Sequence, residues 1–167
     1  MTIKSASLII VALTTVASAT NSEGLMPKIM KSLNIISRCQ AIYRSEKLKA
    51  DGICAGHHAF ILSISKNPGH SQEDLSREIC LNKSTVARTL NHLESFGYIS
   101  RNPNPDDKRQ FLVYPTEKML EILPEVREIS KEWNDCISEG ISEEELEIFH
   151  SVLSRMECKA KSKIQEL

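Results

Sequence analysis

Between Lys83 and Phe96 the two sides of one predicted helix differ in kind. At about 100° per residue, Val86, Leu90 and Leu93 share one side, while Ser84, Arg88, Asn91 and Ser95 centre the other, flanked by Thr85, Ala87 and His92. Short hydroxyls and amides around one guanidinium suit entry into a groove and hydrogen bonding to base edges and phosphates, with Lys83 adding a cation at the helix start. An ordinary solvated helix face carries longer Glu/Lys pairs, and that bland alternative stays open here. Ser71 and Gln72 stand at the start of the preceding helix, where unpaired backbone N–H groups attract a phosphate.

A second charged group sits in Pro103-Asn104-Pro105-Asp106-Asp107-Lys108-Arg109. Asp107 precedes Arg109 by two residues and is close enough to orient its guanidinium, and an Arg held at a hairpin tip, with Lys108 beside it, can enter a minor groove. A surface ion pair worth about 0–1 kcal/mol is the competing interpretation.

The elements that must position these residues follow from periodicity and punctuation. Apolar residues at Ile29, Leu33, Ile36, Tyr43 and Leu48, with Cys39 on the same stripe, predict an amphipathic helix ending near Asp51-Gly52. Ala59–Ile64 reads as a largely buried helix or, being short, a buried strand, stopped by Asn67-Pro68-Gly69. Ser71-Gln72-Glu73-Asp74 outlines a capping box for a short helix to about Ile79 that buries Leu75 and Ile79. After Cys80-Leu81, Asn82 caps the helix that opened this section, and Gly97 stops it. Tyr98–Asn102 and Gln110–Tyr114 are strand-prone around the charged tip, a hairpin of the kind called a wing. Beyond Pro115-Thr116 a stripe of Met119, Ile122, Leu123, Val126, Ile129, Trp133 and Ile137 marks a long helix that Pro124 bends or opens. Ser142 caps a last helix with Leu146, Phe149, Val152, Leu153 and Met156 on its apolar side.

Composition bounds the options. With 41% apolar and 26% charged residues in a chain of 167, the sequence describes an ordinary globular protein rather than a disordered or membrane-embedded one. The net charge of -1 hides an uneven distribution, +4 over residues 1–54, +1 over 55–116 and -6 over 117–167, so the acidic excess lies away from the central module. Five cysteines without a C-x-x-C pair indicate neither a zinc ribbon nor a disulfide framework and suit a reducing cytosol. The N-terminus conflicts with that compartment: Lys4, the apolar stretch Ala6–Ala17 and Ala17-Ser18-Ala19 outline a secretory signal. An ordinary N-terminal helix, or an extension upstream of a start at Met26 or Met30, fits the same residues.

Several runs together resemble the MarR (multiple antibiotic resistance regulator) family: Pro68-Gly69-His70-Ser71-Gln72-Glu73-Asp74-Leu75, Asn82-Lys83-Ser84-Thr85-Val86-Ala87-Arg88, Leu93-Glu94-Ser95-Phe96-Gly97-Tyr98-Ile99, Asp107-Lys108-Arg109 and Pro115-Thr116-Glu117. The resemblance covers about residues 28–165 and implies a homodimer whose two winged modules bind double-stranded DNA at a pseudo-palindromic operator. It implies that Ser84, Thr85, Arg88 and Asn91 read bases and phosphates and that Arg109 serves the minor groove. Ser71, Gln72, Lys83, His92, Asp107 and Lys108 complete the expected DNA-binding set. Such a protein works in the cytoplasm, which turns the signal-like reading of residues 1–25 into the minority one.

The family commonly binds a small aromatic or phenolic effector between its dimer and DNA-binding regions. Arg38, Cys39, His57 and His58 are the pocket or sensor candidates. Cys39-Gln40-Ala41-Ile42-Tyr43 is similar to the reactive-cysteine helix of the hydroperoxide-sensing branch, but Ala55 and His58 stand where partner tyrosines are expected, and a free core cysteine is the alternative. Cys54, His57 and His58 suggest half of a metal site, against which residues 117–141 offer no histidine, so that cap or pocket-lining roles compete. The expectation is therefore an α+β, mainly helical chain: a winged helix-turn-helix module over 55–116, a dimerisation region over 26–54 and 117–167, an extension over 1–25, and no catalytic site, metal, cofactor or membrane partner. Its expected function is a ligand-responsive repressor, with a winged-helix protein-protein adaptor, which the near-neutral charge of residues 55–116 allows, and a thiol-based redox-sensing regulator through Cys39 as the alternatives.

Overall fold

The computed structural model describes residues 24–50 and 52–166. The N-terminal extension and its signal-like segment therefore lie outside the described residues, apart from Gly24 and Leu25. Helix α1 spans Leu25–Lys47, starting earlier and ending sooner than expected. The boundary between the chain's two compact units falls after Ala41, inside this helix.

From residue 42 onward the elements build one core. A 3-10 turn, Ala55–His57, leads into α2, His58–Lys66, which buries Phe60, Ile61 and Ile64, so the dense apolar run is a helix and not a strand. A two-residue strand β1, His70–Ser71, precedes α3, Gln72–Glu78, and α4, Lys83–Ser95. Strands β2, Ile99–Pro103, and β3, Phe111–Pro115, form the hairpin, each set one residue later than expected. The sheet order is β1-β3-β2, antiparallel throughout, with Arg101 opposite Val113 and His70 opposite the same Val113 on the other side. Helix α5 spans Glu117–Ser138 and α6 spans Glu143–Gln165.

The buried set is Leu48, Phe60, Ile61, Ile64, Leu75, Val86, Leu90, Leu93, Tyr98, Ile99, Val113, Met119, Leu123, Val126 and Ile129. Leu75 is fully covered, whereas Ile79 is only partly so. Gly97 stops α4 in the left-handed conformation at φ +75°, and Thr116 Oγ1 then donates to the Gly97 and Tyr98 carbonyls while capping α5. Pro124 lies within α5 rather than at its opening; it is exposed, and so is Leu120 four residues earlier, so the carbonyl that loses its donor has water available. Ile137, expected on the buried stripe, is exposed near the helix end.

Candidate nucleic-acid interface

Helices α3 and α4 are joined by a turn whose bonds are local. Ser71 Oγ accepts from the Asp74 N–H at 3.2 Å while the Ser71 N–H donates to Asp74 Oδ2 at 3.0 Å, the reciprocal capping box. Hydrogen bonds from the Ser71 hydroxyl and N–H hold the Asp74 carboxyl below the usual carboxylate range. Ser71 is thus a buried cap whose hydroxyl also donates to Asp74 Oδ2, at 2.6 Å, so its side chain is committed to the helix start. Gln72 Nε2 donates to the Lys83 carbonyl at 3.3 Å and ties the two helix starts together. Across the turn, Leu81 N–H donates to Ser76 O at 3.2 Å and Ser76 Oγ to Leu81 O at 2.6 Å, with Cys80 held at φ +55°. Asn82 Oδ1 then accepts from Thr85 N–H at 2.8 Å and from Ser84 Oγ at 2.7 Å.

On α4, Val86, Leu90 and Leu93 are completely buried, which leaves Lys83, Ser84, Arg88 and Asn91 on the exposed side and Thr85 half-covered. Two expectations change. Lys83 pairs with Glu73 at 3.0 Å, so that cation is already compensated. His92 is partly buried: its Nε2 meets the Gly52 carbonyl at 2.7 Å and its ring lies between His57 and Phe96, at 4.8 and 4.7 Å. These contacts hold the imidazole against the Gly52 junction and turn it from the outer face expected for it. Gly52 itself is at φ +74°, and a Cβ there would meet Phe96 Cδ1 at 2.2 Å, so this junction is built around the missing side chain.

The wing tip is a chain of turns. Asn104 Oδ1 accepts from Asp106 N–H at 3.0 Å, Asp107 Oδ1 from the Arg109 N–H at 3.0 Å, and Gln110 O from the Asn104 N–H at 2.9 Å. Asp107 therefore shapes the backbone under Arg109 instead of orienting its guanidinium. An open cleft of about 280 Å³ runs between the α3–α4 start and the wing, lined among others by Gln72, Lys83, Arg101 and Arg109. Among the described residues, Arg77, Lys83 and Arg101 enter ion pairs within the module, whereas Arg88, Lys108 and Arg109 enter none. The near-neutral total of residues 55–116 conceals this division: the cations left uncompensated include those on the outer side of α4 and at the wing tip.

One participant escaped sequence reasoning. Arg101 on β2 donates from Nε to Glu94 Oε2 at 3.1 Å, from Nη2 to the same oxygen, and from Nη2 to Asn91 Oδ1 at 2.7 Å. The Arg101 hydrogen bonds to Glu94, and then its charge, lower the Glu94 pKa against the effect of burial. The signal was the alternation of the strand: Arg101 follows buried Ile99 by two residues and shares its side.

The sensor candidates separate. His57 Nδ1 accepts from the Cys54 N–H at 3.2 Å, a cap, and burial followed by the neighbouring His92 lowers its pKa. His58 is buried elsewhere, with Nε2 at 2.6 Å from Ser130 Oγ. Because the Ser130 hydroxyl donates to Val126 O at 3.0 Å, the imidazole must be the donor to Ser130. Burial and the Arg44 charge push the His58 pKa down to about 4. Cys54, His57 and His58 thus do not converge, and among the described residues no three metal-capable side chains do. On α1, Cys39 is exposed, not a core cysteine, and Arg38 Nε donates to Asn34 O at 3.2 Å.

Helix-turn-helix and wing together define a winged helix-turn-helix protein. The MarR family model matches residues 55–111. The HTH-type transcriptional regulator BilQ of Clostridioides difficile (strain CD3) is 32% identical over 104 residues, which cover 62% of this chain and 70% of BilQ. The chain belongs to the MarR family of transcriptional regulators, and its relatives are regulators and not enzymes. Its fold is that of a MarR transcriptional regulator from Methanosarcina mazei Go1, at 29% identity and a TM-score of 0.73 over 81% of this chain and 98% of that one. A MarR family regulator from Listeria monocytogenes, complexed with 26mer DNA, has the same fold at 22% identity and a TM-score of 0.76, with 80% of this chain and 89% of that one covered. Among the described residues no helix is long and apolar enough to cross a membrane.

Proposed function

We propose that the chain is a ligand-responsive repressor that binds a pseudo-palindromic operator as a homodimer, reading bases through Ser84, Thr85, Arg88 and Asn91 on α4 and entering the minor groove with Arg109. The carrying observation is the division of charge within residues 55–116: the exposed Arg88 and the wing-tip pair Lys108 and Arg109 enter no ion pair, nor does Lys66 at the end of α2, while Arg77, Lys83 and Arg101 are compensated. The fold shared with the DNA-complexed Listeria monocytogenes regulator supports the same use of the module. The terminal helices, 26–54 and 117–167, supply the dimer: α6 exposes Leu146, Phe149 and Val152, and α1 exposes Leu25, Met26, Met30 and Ile36.

The effector site is assigned to the surroundings of His58. Arg44, whose charge acts on His58, and Trp133, whose ring packs on Tyr43, keep Nε and Nε1 buried without a hydrogen-bond partner among the described residues, and burial lowers the Arg44 pKa. A buried donor without an acceptor costs about 1–3 kcal/mol, which a small aromatic or phenolic acid would recover by bringing a carboxylate beside a ring. DNA binding is tested by anisotropy titration at two salt concentrations on the DNA upstream of its gene. Specific, salt-sensitive binding is expected, with Arg88→Ala losing about 1–3 kcal/mol. Absence of a specific complex at low salt would overturn the proposal. Thermal shift with a panel of aromatic carboxylates tests the effector site, and Arg44→Met should abolish any rise in melting temperature.

A further inference from the structure

Asn91 lies on the exposed side of α4, one turn beyond Arg88. An Asn amide singles out adenine by a two-bond match, its carbonyl accepting from N6–H while its amino group donates to N7. That match needs both halves of the amide free on one edge. In this chain one half is held from behind. Arg101 Nη2 donates to Asn91 Oδ1 at 2.7 Å, and the same guanidinium is anchored on Glu94 Oε2 through Nε at 3.1 Å and through Nη2.

The orientation of the amide is a chemical necessity, because the opposite one would set the amino group against a guanidinium donor. The anchor is firm: both bonds to Glu94 are charge-assisted, and the Arg101 side chain is 23% exposed. The carbonyl is therefore turned toward β2, and the amino group is the half of Asn91 left unclaimed. We infer that Arg101 is a specificity-determining residue that holds the Asn91 carbonyl on the β2 side and leaves the amino group as the half offered to a base, so that α4 selects base edges presenting acceptors at the Asn91 position.

The inference rests on the reading of α4 as the helix that enters the major groove. Guanine N7 or O6, adenine N7 and thymine O4 satisfy a lone donor, whereas the cytosine edge presents its own N4 donor and is refused. Arg101 touches no base in this scheme. It is a positioning residue acting through Asn91, and it joins the wing strand to α4 so that the two cannot be placed independently.

The test is selection of bound sequences from a randomised duplex pool by the full chain, followed by competition with single-base variants of the selected site. The unaltered protein should disfavour cytosine at one position in each half-site, and Asn91→Ala should erase that preference and no other. Arg101→Ala frees the carbonyl and should convert the same position to adenine, favoured about tenfold over guanine. Arg101→Lys keeps a cation for Glu94 but has no second arm for Asn91, and it should give the same conversion if the Ala variant fails to fold. The double variant with Asn91→Ala should show no preference there. A folded Arg101 variant that weakens every sequence equally, with the base profile unmoved, would overturn the inference, since support of the wing alone predicts that outcome. So would tolerance of cytosine by the unaltered protein at the position that Asn91→Ala affects. No specific binding by the unaltered protein is a different result, which removes the regulator proposal and this assignment with it.

Discussion

Helices α4 and α6 carry the same kind of pattern and meet opposite fates. Each repeats apolar residues at spacings of three and four, yet Val86, Leu90 and Leu93 of α4 are entirely buried while Leu146, Phe149 and Val152 of α6 are exposed. A large apolar side chain gains about 1.5–3 kcal/mol from full burial, so α4 is held by its own chain and α6 leaves that gain uncollected. Periodicity announces that a stripe exists. It does not say which surface covers it, and the uncovered stripe of α6 is the surface that the proposed homodimer would cover.

The sharpest way to break this contrast is to cut into the covered side. Leu90→Ala should cost about 2–5 kcal/mol in urea unfolding, because the surrounding side chains close only partly over the cavity. A cost below about 1 kcal/mol would mean that burial of its apolar side is not what holds α4.

His58 tests the same interior through pH. Its folded-state pKa lies near 4 against an ordinary value of 6.5, so above pH 6.5 the imidazole is neutral in both states. As pH falls from 6.5 toward 4 the unfolded chain takes up a proton that the folded chain refuses, and stability declines by about 2–3 kcal/mol across that window. His58→Gln can keep a donor to Ser130 but cannot titrate, so its stability should be flatter over the same range. An unchanged slope would place the acid sensitivity elsewhere.

On the uncovered side the expected effect is on assembly and not on folding. Phe149 is 51% exposed on the single chain, and Phe149→Asp should leave the unfolding midpoint of a dilute monomer within about 0.5 kcal/mol of its original value. Sedimentation equilibrium should instead show the two-chain species weakened by at least roughly tenfold. A large loss of monomer stability, with no change in association, would reverse the roles of the two helices.

The legible parts of the fold are those that local chemistry decides. The faces of α4, the caps at Ser71, Asn82 and Ser142, and the stop at Gly97 were all written in neighbouring residues. What escaped was non-local or ambiguous in use. Strand β1 is two residues long and exists only because β3 lies beside it. His92 sits on the flank of the outer face by angle, but its ring finds the Gly52 carbonyl forty residues away along the chain. Arg101 acquires its role from Glu94 and Asn91 on a different element. Ser71 was legible as a cap, and its hydroxyl is committed to Asp74. Cys39 followed the stripe of α1, and a stripe alone did not make it a core residue, since the thiol is exposed.

The smallest predicted effect lies in the turn between α3 and α4, inside the covered region but away from its apolar contacts. Cys80 sits at φ +55°, a left-handed conformation that disfavours a side chain by roughly 1–2 kcal/mol, and it persists because the flanking bonds from Leu81 to Ser76 leave no alternative path. Glycine relieves that strain but adds freedom to the unfolded chain, which offsets about 0.5–1 kcal/mol of the gain. Cys80→Gly should therefore stabilise the fold by about 0.5 kcal/mol. Gly97→Ala is the matched control: at φ +75° with nothing within 4 Å of a new Cβ, it adds the strain without a clash and should cost about 1 kcal/mol. If the two substitutions moved stability in the same direction, conformational strain would not be what separates them, and the turn would be set by the packing of α3 on α4 instead.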